Sequence, residues 1–402
     1  MKKASCIKKG AITLTLGLIL VGTSGVAQAQ DDTGLRLQYK VGDGLSIGDG
    51  DNLVHLQGRV QAQYRYISIE NAADQGGFLV PRAEIRLDGF TLEKKIKYGF
   101  EMNLATRTKG TSVAACTATP TCTTFLVTTN SGLAALNDYY IDWVPTSSFG
   151  VQAGQFKVPF LFQQLASSPR QQFVDRSILS NANYFDLGRD LGINVHGSVL
   201  EDKLKYMAFV MNGDGANSLN RSNRSVMAGF RLEVPILGVY EYSESDTGAS
   251  PDQNLGVGVA YAFNEGASAL QSATIAAFAK THHATLDVGY KHNGFSFQGA
   301  GVLSHKVEGA NLTNYGYNIQ AGYFLLPKTI EIAGRAAGEI LNKAAVNQYE
   351  YAAVLNYFPM GKGHGIKFQT DYTFLKNSNI VTAAGAQGIN DHRVRAAMNL
   401  IF

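Results

Sequence analysis

The stretch VHLQGRVQAQYRY (54–66) decides the fold. Val54, Leu56, Gly58, Val60, Ala62, Tyr64 and Tyr66 make one series; His55, Gln57, Arg59, Gln61, Gln63 and Arg65 make the other. A period of two with one apolar and one polar face is a β-strand set between two environments. The pattern returns in 78–90, where Arg82, Glu84, Arg86 and Asp88 oppose Ala83, Ile85 and Leu87. In 95–107, Lys95, Lys97, Glu101 and Asn103 alternate with Ile96, Tyr98, Phe100, Met102 and Leu104. Further strands are read over 135–144, 149–158, 191–200, 204–212, 226–234, 255–263 and 284–291, then 295–305, 314–325, 329–340, 348–358, 365–375 and 391–402. The total is sixteen, and a closed antiparallel barrel of bacterial type takes an even number.

The connections sharpen this reading. Short ones at 91–94, 145–148, 201–203, 326–328 and 359–364 alternate with long or polar ones at 108–134, 159–190, 213–225, 264–283 and 376–390. Tight turns on one rim and long loops on the other is the outer-membrane arrangement. The segment 235–254 breaks the rule, being long where a short turn belongs. Either the flanking strands extend further or this turn is elaborated. No fixed-period repeat points to a propeller or solenoid.

The first 29 residues read as a cleaved signal peptide. Lys2, Lys3, Lys8 and Lys9 precede an apolar run from Ala11 to Val21, and Ala27-Gln28-Ala29 supplies the small-residue cleavage site. Residues 30–52, rich in Gly and Asp, read as a short leader, and 53–402 as the barrel. The whole chain carries 35 Lys plus Arg against 32 Asp plus Glu; without the signal it carries 31 against 32, a net charge of −1. Nothing in that balance calls for nucleic acid or an acidic partner, so any selectivity must come from where charges sit. Of three cysteines, Cys6 leaves with the signal. Cys116 and Cys122, in an exported Ser/Thr/Ala-rich stretch with no neighbouring His, favour a loop-closing disulfide over a metal site. No run after residue 29 is long enough for a transmembrane helix, which leaves a soluble fold or a strand-built barrel. The last strand, with Val394, Ala396, Met398, Leu400 and Phe402 on one face, ends in the aromatic residue that outer-membrane barrels offer their assembly machinery.

The long segment 159–190 carries Phe160, Leu161, Phe162, Leu165, Phe173, Ile178, Leu179, Tyr184 and Phe185. That is too apolar for a solvated tail and too long for a plain connection. It is read as a constriction loop folded into the barrel mouth, bringing Arg170, Arg176 and Arg189 beside Lys157.

Several motifs resemble the phosphate-selective porin O/P family of Gram-negative outer membranes. They are VPRAEIRLDGF (80–90), LNDYYIDW (136–143), GQFKVPF (154–160), FVDRS (173–177) and GRDLGINVHGSV (188–199), with LQGRVQAQYRY (56–66) and the final strand in support. The resemblance implies a trimeric, sixteen-stranded transmembrane barrel with inward-folded loops and lumenal Arg and Lys that guide small anions, phosphate first. The loop after Lys157 supplies Arg and no Lys, a departure from the lysine cluster of the specialised phosphate pores.

By strand phase the lumenal cations are Arg59, Arg65, Arg82, Arg86, Lys95, Lys97, Lys205, Arg231, Arg335, Lys367, Arg393 and Arg395. With Lys157, Arg170, Arg176 and Arg189 they form the expected anion pathway. Guanidinium groups match phosphate oxygens in a fork, and ammonium groups act as point charges. Glu84, Asp88, Glu101, Asp138, Asp142, Glu331, Glu339 and Asp371 share that face, so part of the basic charge balances acids. Arg170 has no adjacent acid, whereas Arg176 follows Asp175 and Arg189 precedes Asp190; Arg170 is therefore the preferred loop residue. His282-His283 is placed in an outer loop, and His55 and His196 in the lumen. Neither a metal set nor a cofactor motif is found, and no nucleophile elbow or spaced acid–base pair supports catalysis. An outer-membrane hydrolase and an adhesive barrel are the rival classes; a general diffusion pore with weak selectivity is the rival function. Tyr139, Trp143, Tyr206, Tyr261, Tyr317, Tyr323, Tyr351 and Tyr357 fall on the apolar phase and suit interfacial girdles against outer-membrane lipid.

Overall fold

The computed structural model describes residues 34–402 apart from 72, 106–110, 114–125, 129–134, 181–184, 219–225, 266–279, 308–310, 342–346, 362 and 379–388; segments 27–30, 111–113 and 126–128 are described by backbone alone. The remainder of the signal segment and both cysteines of the expected disulfide lie outside the described residues.

Sixteen strands form the wall. The first eight are β1 Leu53–Ile69, β2 Gln75–Thr91, β3 Ile96–Asn103, β4 Ala135–Thr146, β5 Phe149–Lys157, β6 Arg189–Val199, β7 Leu204–Met211 and β8 Met227–Leu237. The others are β9 Asn254–Asn264, β10 Thr281–His292, β11 Phe295–Lys306, β12 Leu312–Leu326, β13 Ile330–Ile340, β14 Gln348–Tyr357, β15 Ile366–Ser378 and β16 Ile389–Ile401. Each pairs antiparallel with the next, and β16 closes on β1 from Asp391↔Ile69 to Ile401↔Arg59. Closure satisfies every strand edge within the sheet, which a bilayer requires of a strand-built span.

The alternation that predicts the strands also sorts their faces. Ile141, Trp143, Ile193, Leu286, Ile319, Tyr351 and Leu355 project outward and are exposed, as lipid-facing side chains are. Gln61, Asp287, Gln298, Asn318, Glu331 and Arg335 project inward and are buried. No helix among the described residues is long and apolar enough to cross a membrane; the strands do the crossing.

Leader residues add a ribbon at the seam. Arg36–Lys40 pairs with Gly44–Gly48, which in turn pairs with the start of β1 through Leu45↔Leu56 and Gly48↔Leu53. Because β16 stops opposite Arg59, the ribbon covers the edge of β1 left beyond it. Phe402 sits at this junction, exchanging backbone hydrogen bonds with Gly58 (2.9 and 2.6 Å) and laying its ring where a Cβ on Gly58 would be.

Two segments enter the lumen from opposite rims. One is the loop after β5, residues 158–188, which contains a short helix at Phe162–Leu165 and 3-10 turns at Ser168–Arg170 and Ile178–Ser180. Its Phe160, Leu161, Leu179 and Phe185 pack on inward-facing Phe209, Met211, Met227, Ala260, Ala262, Ala300 and Val302, forming the main apolar core. Small wall residues make the space: a Cβ at Gly316 would collide with Leu179 and Phe185. The other is the oversized connection between β8 and β9. Strand β8 runs three residues past its expected end, to Leu237, and the rest of the segment turns inward. The rule broken in the sequence is thus broken by elaboration. His282 and His283 are a correction to the outer-loop reading: both lie in β10, His282 outward against Tyr261 and His283 buried inward. Strand pairing captures them opposite Phe263 and Ala262 on β9, with the His282 ring 5.0 Å from that of Phe263. Lys95 is likewise in a turn, bonded to Glu93 at 2.7 Å, because β3 begins only at Ile96.

Candidate functional site

The inward loop fills the β7–β12 side of the lumen with apolar side chains and leaves a polar gap against β2–β6. The gap is a cavity of about 390 Å³. Five cationic side chains line it, Arg82, Arg86, Lys157, Arg176 and Arg189, against three carboxylates, Glu84, Glu101 and Asp138. Strand β5 delivers Lys157 at its last residue, and Gly154 makes that approach possible. Its φ of +134° is open to glycine alone, and a Cβ there would run into the carbonyl of Tyr139.

The expected pathway residues divide by their partners. Arg189 is held by Asp138 (2.8 and 3.2 Å) and Glu101 (3.4 Å). Arg395 grips Asp371 with two bonds (2.7 and 2.8 Å), Arg393 grips Asp391 (3.0 and 2.8 Å), and Arg86 bonds Asp88 (2.8 Å). Arg59 joins Glu84 (2.9 Å) and the Ser168 hydroxyl, tying the loop to the wall. Arg82 bonds Asp175 (3.0 Å) and Gln61 (2.7 Å). Among the described residues, Lys157, Arg176, Arg170 and Arg65 have no carboxylate within ion-pair distance, and neither do Lys97, Lys205 and Lys367.

Lys157 donates to the carbonyls of Leu165 and Ala166, each at 3.2 Å. Arg176 donates to the carbonyls of Gln163 (2.9 Å) and Ala166 (3.1 Å). Carbonyls orient these cations without cancelling their charge. Arg170 is exposed at the loop tip, on the side of Lys291 and His364 and outside the cavity lining. Arg65 faces Arg395 directly across the β1–β16 seam. Sequence adjacency thus gave the wrong partners: Asp175 turns from Arg176 to Arg82, and Asp190 accepts from the backbone of Leu191 and Gly213. Desolvation opposes ionisation of Asp175, but Arg82, Arg395 and Arg176 hold its carboxyl down to about 2.

Other lumenal cations are structural. Arg231, fully buried, bonds Asp287 (2.7 and 2.9 Å), Glu233 (2.7 Å) and the Phe160 carbonyl (2.8 Å). Lys367 donates to the carbonyls of Pro169 and Gln171, and Arg335 binds Glu350 and the Asp175 carbonyl while lying over the Phe173 ring. His55 and His196 point inward to Asp88 (3.3 Å) and Asp142 (2.8 Å). Sequence reasoning missed the uncharged hub Gln172. Its side chain bonds Glu331 (2.6 Å) and Ser296 (3.0 Å), and its carbonyl accepts from Asn356 (2.8 Å) and Gln369 (3.0 Å). Glutamine at a loop tip carries no pattern that would mark it. Among the described residues there is no group of three or more metal-ligating side chains.

A barrel that crosses the bilayer on its strands and keeps a charged gap beside a tethered loop has the architecture of an outer-membrane porin. Solved porins share this fold. An anion-selective porin from Comamonas acidovorans superposes with a TM-score of 0.57 at 13% identity, covering 87% of this chain and all of that one (100%). OmpF of Salmonella typhi gives 0.58 at 12% identity over 89% of this chain and 100% of its own. The outer-membrane channel DcaP of Acinetobacter baumannii gives 0.53 at 13% identity over 88% and 99%. Within this class the chain belongs to the family described as phosphate-selective porin O and P, whose model matches residues 54–402. An uncharacterized protein of Aquifex aeolicus (strain VF5) is 28% identical over 268 residues, 59% of this chain; the match spans 62% of that relative's length.

Proposed function

We propose that this porin passes small anions by passive diffusion, with phosphate-type oxyanions preferred, as a homotrimer exported by its cleaved signal peptide and assembled through the strand ending at Phe402. The observation that carries the preference is the pair Lys157 and Arg176, fixed by neutral carbonyls at the edge of the 390 Å³ gap. A narrow, low-dielectric passage with uncancelled positive charge concentrates anions, and moderate sites in series conduct where one tight site would trap. Arg65, with no carboxylate in ion-pair distance among the described residues, adds positive charge on β1 opposite Arg395. The Comamonas porin of this fold is described as anion-selective, and one OmpT structure of this fold from Vibrio cholerae is described as a trimer form.

General diffusion with weak selectivity is the second reading, favoured by the carboxylates that neutralise Arg189, Arg393 and Arg395. Reconstitution in a planar bilayer separates the two. An anion-directed reversal potential in a chloride gradient, with saturable block as phosphate is added, is the expected result. Weak selectivity with no block would leave the general pore, and silence from folded protein would remove the channel altogether.

A further inference from the structure

We infer that the passage is set from both rims, and that the β8–β9 segment 238–253 is the element that positions the tip of the inward loop, with Glu244 as its positioning residue. This goes beyond the channel reading and rests on it. The other connections on that rim, 92–95, 147–148, 200–203, 293–294, 327–329 and 358–365, run from two to eight residues, against sixteen here.

The segment is anchored at three levels. At its base, Asp246 accepts from the Gly294 amide (2.8 Å) and the Ser250 carbonyl accepts from the Asn293 amide (2.8 Å), fastening it to the neighbouring turn. In the middle, Tyr240 bonds Asp287, and its ring and that of Tyr242 lie 5.6 and 5.3 Å from the ring of Phe162 in the loop. Glycine on the wall makes room here, since a Cβ at Gly256 would overlap the Tyr240 ring. At the tip, the Glu244 amide donates to the Arg170 carbonyl (3.1 Å), and the Glu244 carboxylate accepts from the Gln172 amide (2.7 Å). Ser245 bonds Glu331 (2.9 Å), the same carboxylate that holds the Gln172 side chain (2.6 Å).

Gln172 and Glu244 are both buried, so the amide–carboxylate bond has no water to replace it. Phe160, Phe162, Gln172 and Phe173 are buried on the β8–β15 side of the lumen, and the gap lined by Lys157 and Arg176 lies on the other side. The tip lies on the same rigid loop as Arg176 and as the carbonyls that orient Lys157. Freeing it loosens the cationic edge of the passage.

The test compares Glu244→Leu with Glu244→Gln in the full-length porin. Glutamine keeps a carbonyl acceptor for the Gln172 amide; leucine does not. Two readouts are taken on barrels that retain their heat-modifiable mobility: hydrogen exchange over 168–174, and single-channel conductance with its noise. For Glu244→Leu, exchange at the tip should accelerate by about ten- to a hundredfold, the loss expected for one hydrogen bond to a charged group. Conductance should rise and flicker, while Glu244→Gln stays near the parent. Unchanged exchange at the tip in Glu244→Leu would overturn the positioning role, whatever the conductance. Accelerated exchange with unaltered conductance would overturn the claim that this tip sets the passage. A parent protein that does not conduct at all would instead fail the channel reading, and the exchange result would still stand or fall separately.

Discussion

A cation held by carbonyl oxygens has no counter-charge bound to it, whereas one gripped by a carboxylate presents little net field. Lys157 and Arg176 are of the first kind, and Arg189, Arg393 and Arg395 of the second. Replacing Lys157 and Arg176 together by Glu should therefore reduce the anion-to-cation permeability ratio by about tenfold or reverse it, on the field argument; the reversal potential in a salt gradient reads this directly. The same change at Arg393 should move it much less, because Asp391 is already its counter-charge. Gly154 carries a different load. Substitution by Ala forces a side chain into φ +134° and against the Tyr139 carbonyl, at a cost of at least about 2 kcal/mol. A lowered midpoint in heat-modifiability gels is the expected sign.

At the scale of elements, the inward loop is stabilised by the wall's acids as much as by its own apolar residues. Glu350 accepts from the Ile178 amide (2.8 Å), Asp371 from the Val174 amide (3.2 Å), and Glu331 from the Gln172 side chain (2.6 Å). Arg231 links β8, β10 and the loop at one point. Arg231→Met would leave Asp287 and Glu233 buried without their cation, at about 3–5 kcal/mol, seen as a lower urea midpoint. Adding Asp287→Asn should recover part of it. The Arg82–Asp175 tie sets an acid limit. Asp175 titrates lower in the folded protein than in the unfolded chain, so its contribution is complete above about pH 4 and is lost as pH falls through about 2. A change in conductance across that interval, absent in Asp175→Asn, is the expected behaviour.

For the whole molecule, the proposed trimer should survive mild detergent and dissociate on heating. Light scattering should give about three times the protomer mass, and a monodisperse monomer in native-like lipid would count against the trimer. The barrel itself was legible because alternation is local: a strand between lipid and water must change polarity at every residue, and 54–66 does so without interruption. All sixteen strands followed from that rule. The loop's inward course was legible from its apolar content. Which cations remain uncancelled was not. Arg170 looked free and has no ion pair among the described residues, yet it lies outside the gap, while Arg176 looked paired with Asp175, which instead bonds Arg82. The oversized 235–254 segment stood out by length alone, and nothing in its residues said that it turns inward.

The division has one physical origin. Sequence by itself determined the strands, their faces and the rims, because these depend on periodicity and composition within a dozen neighbouring residues. Tertiary structure alone decided which charges cancel, where the loop rests and how the second inward segment meets it. Those outcomes depend on partners more than a hundred residues apart, such as Arg59 with Ser168 and Gln172 with Glu331, brought together only when the barrel closes.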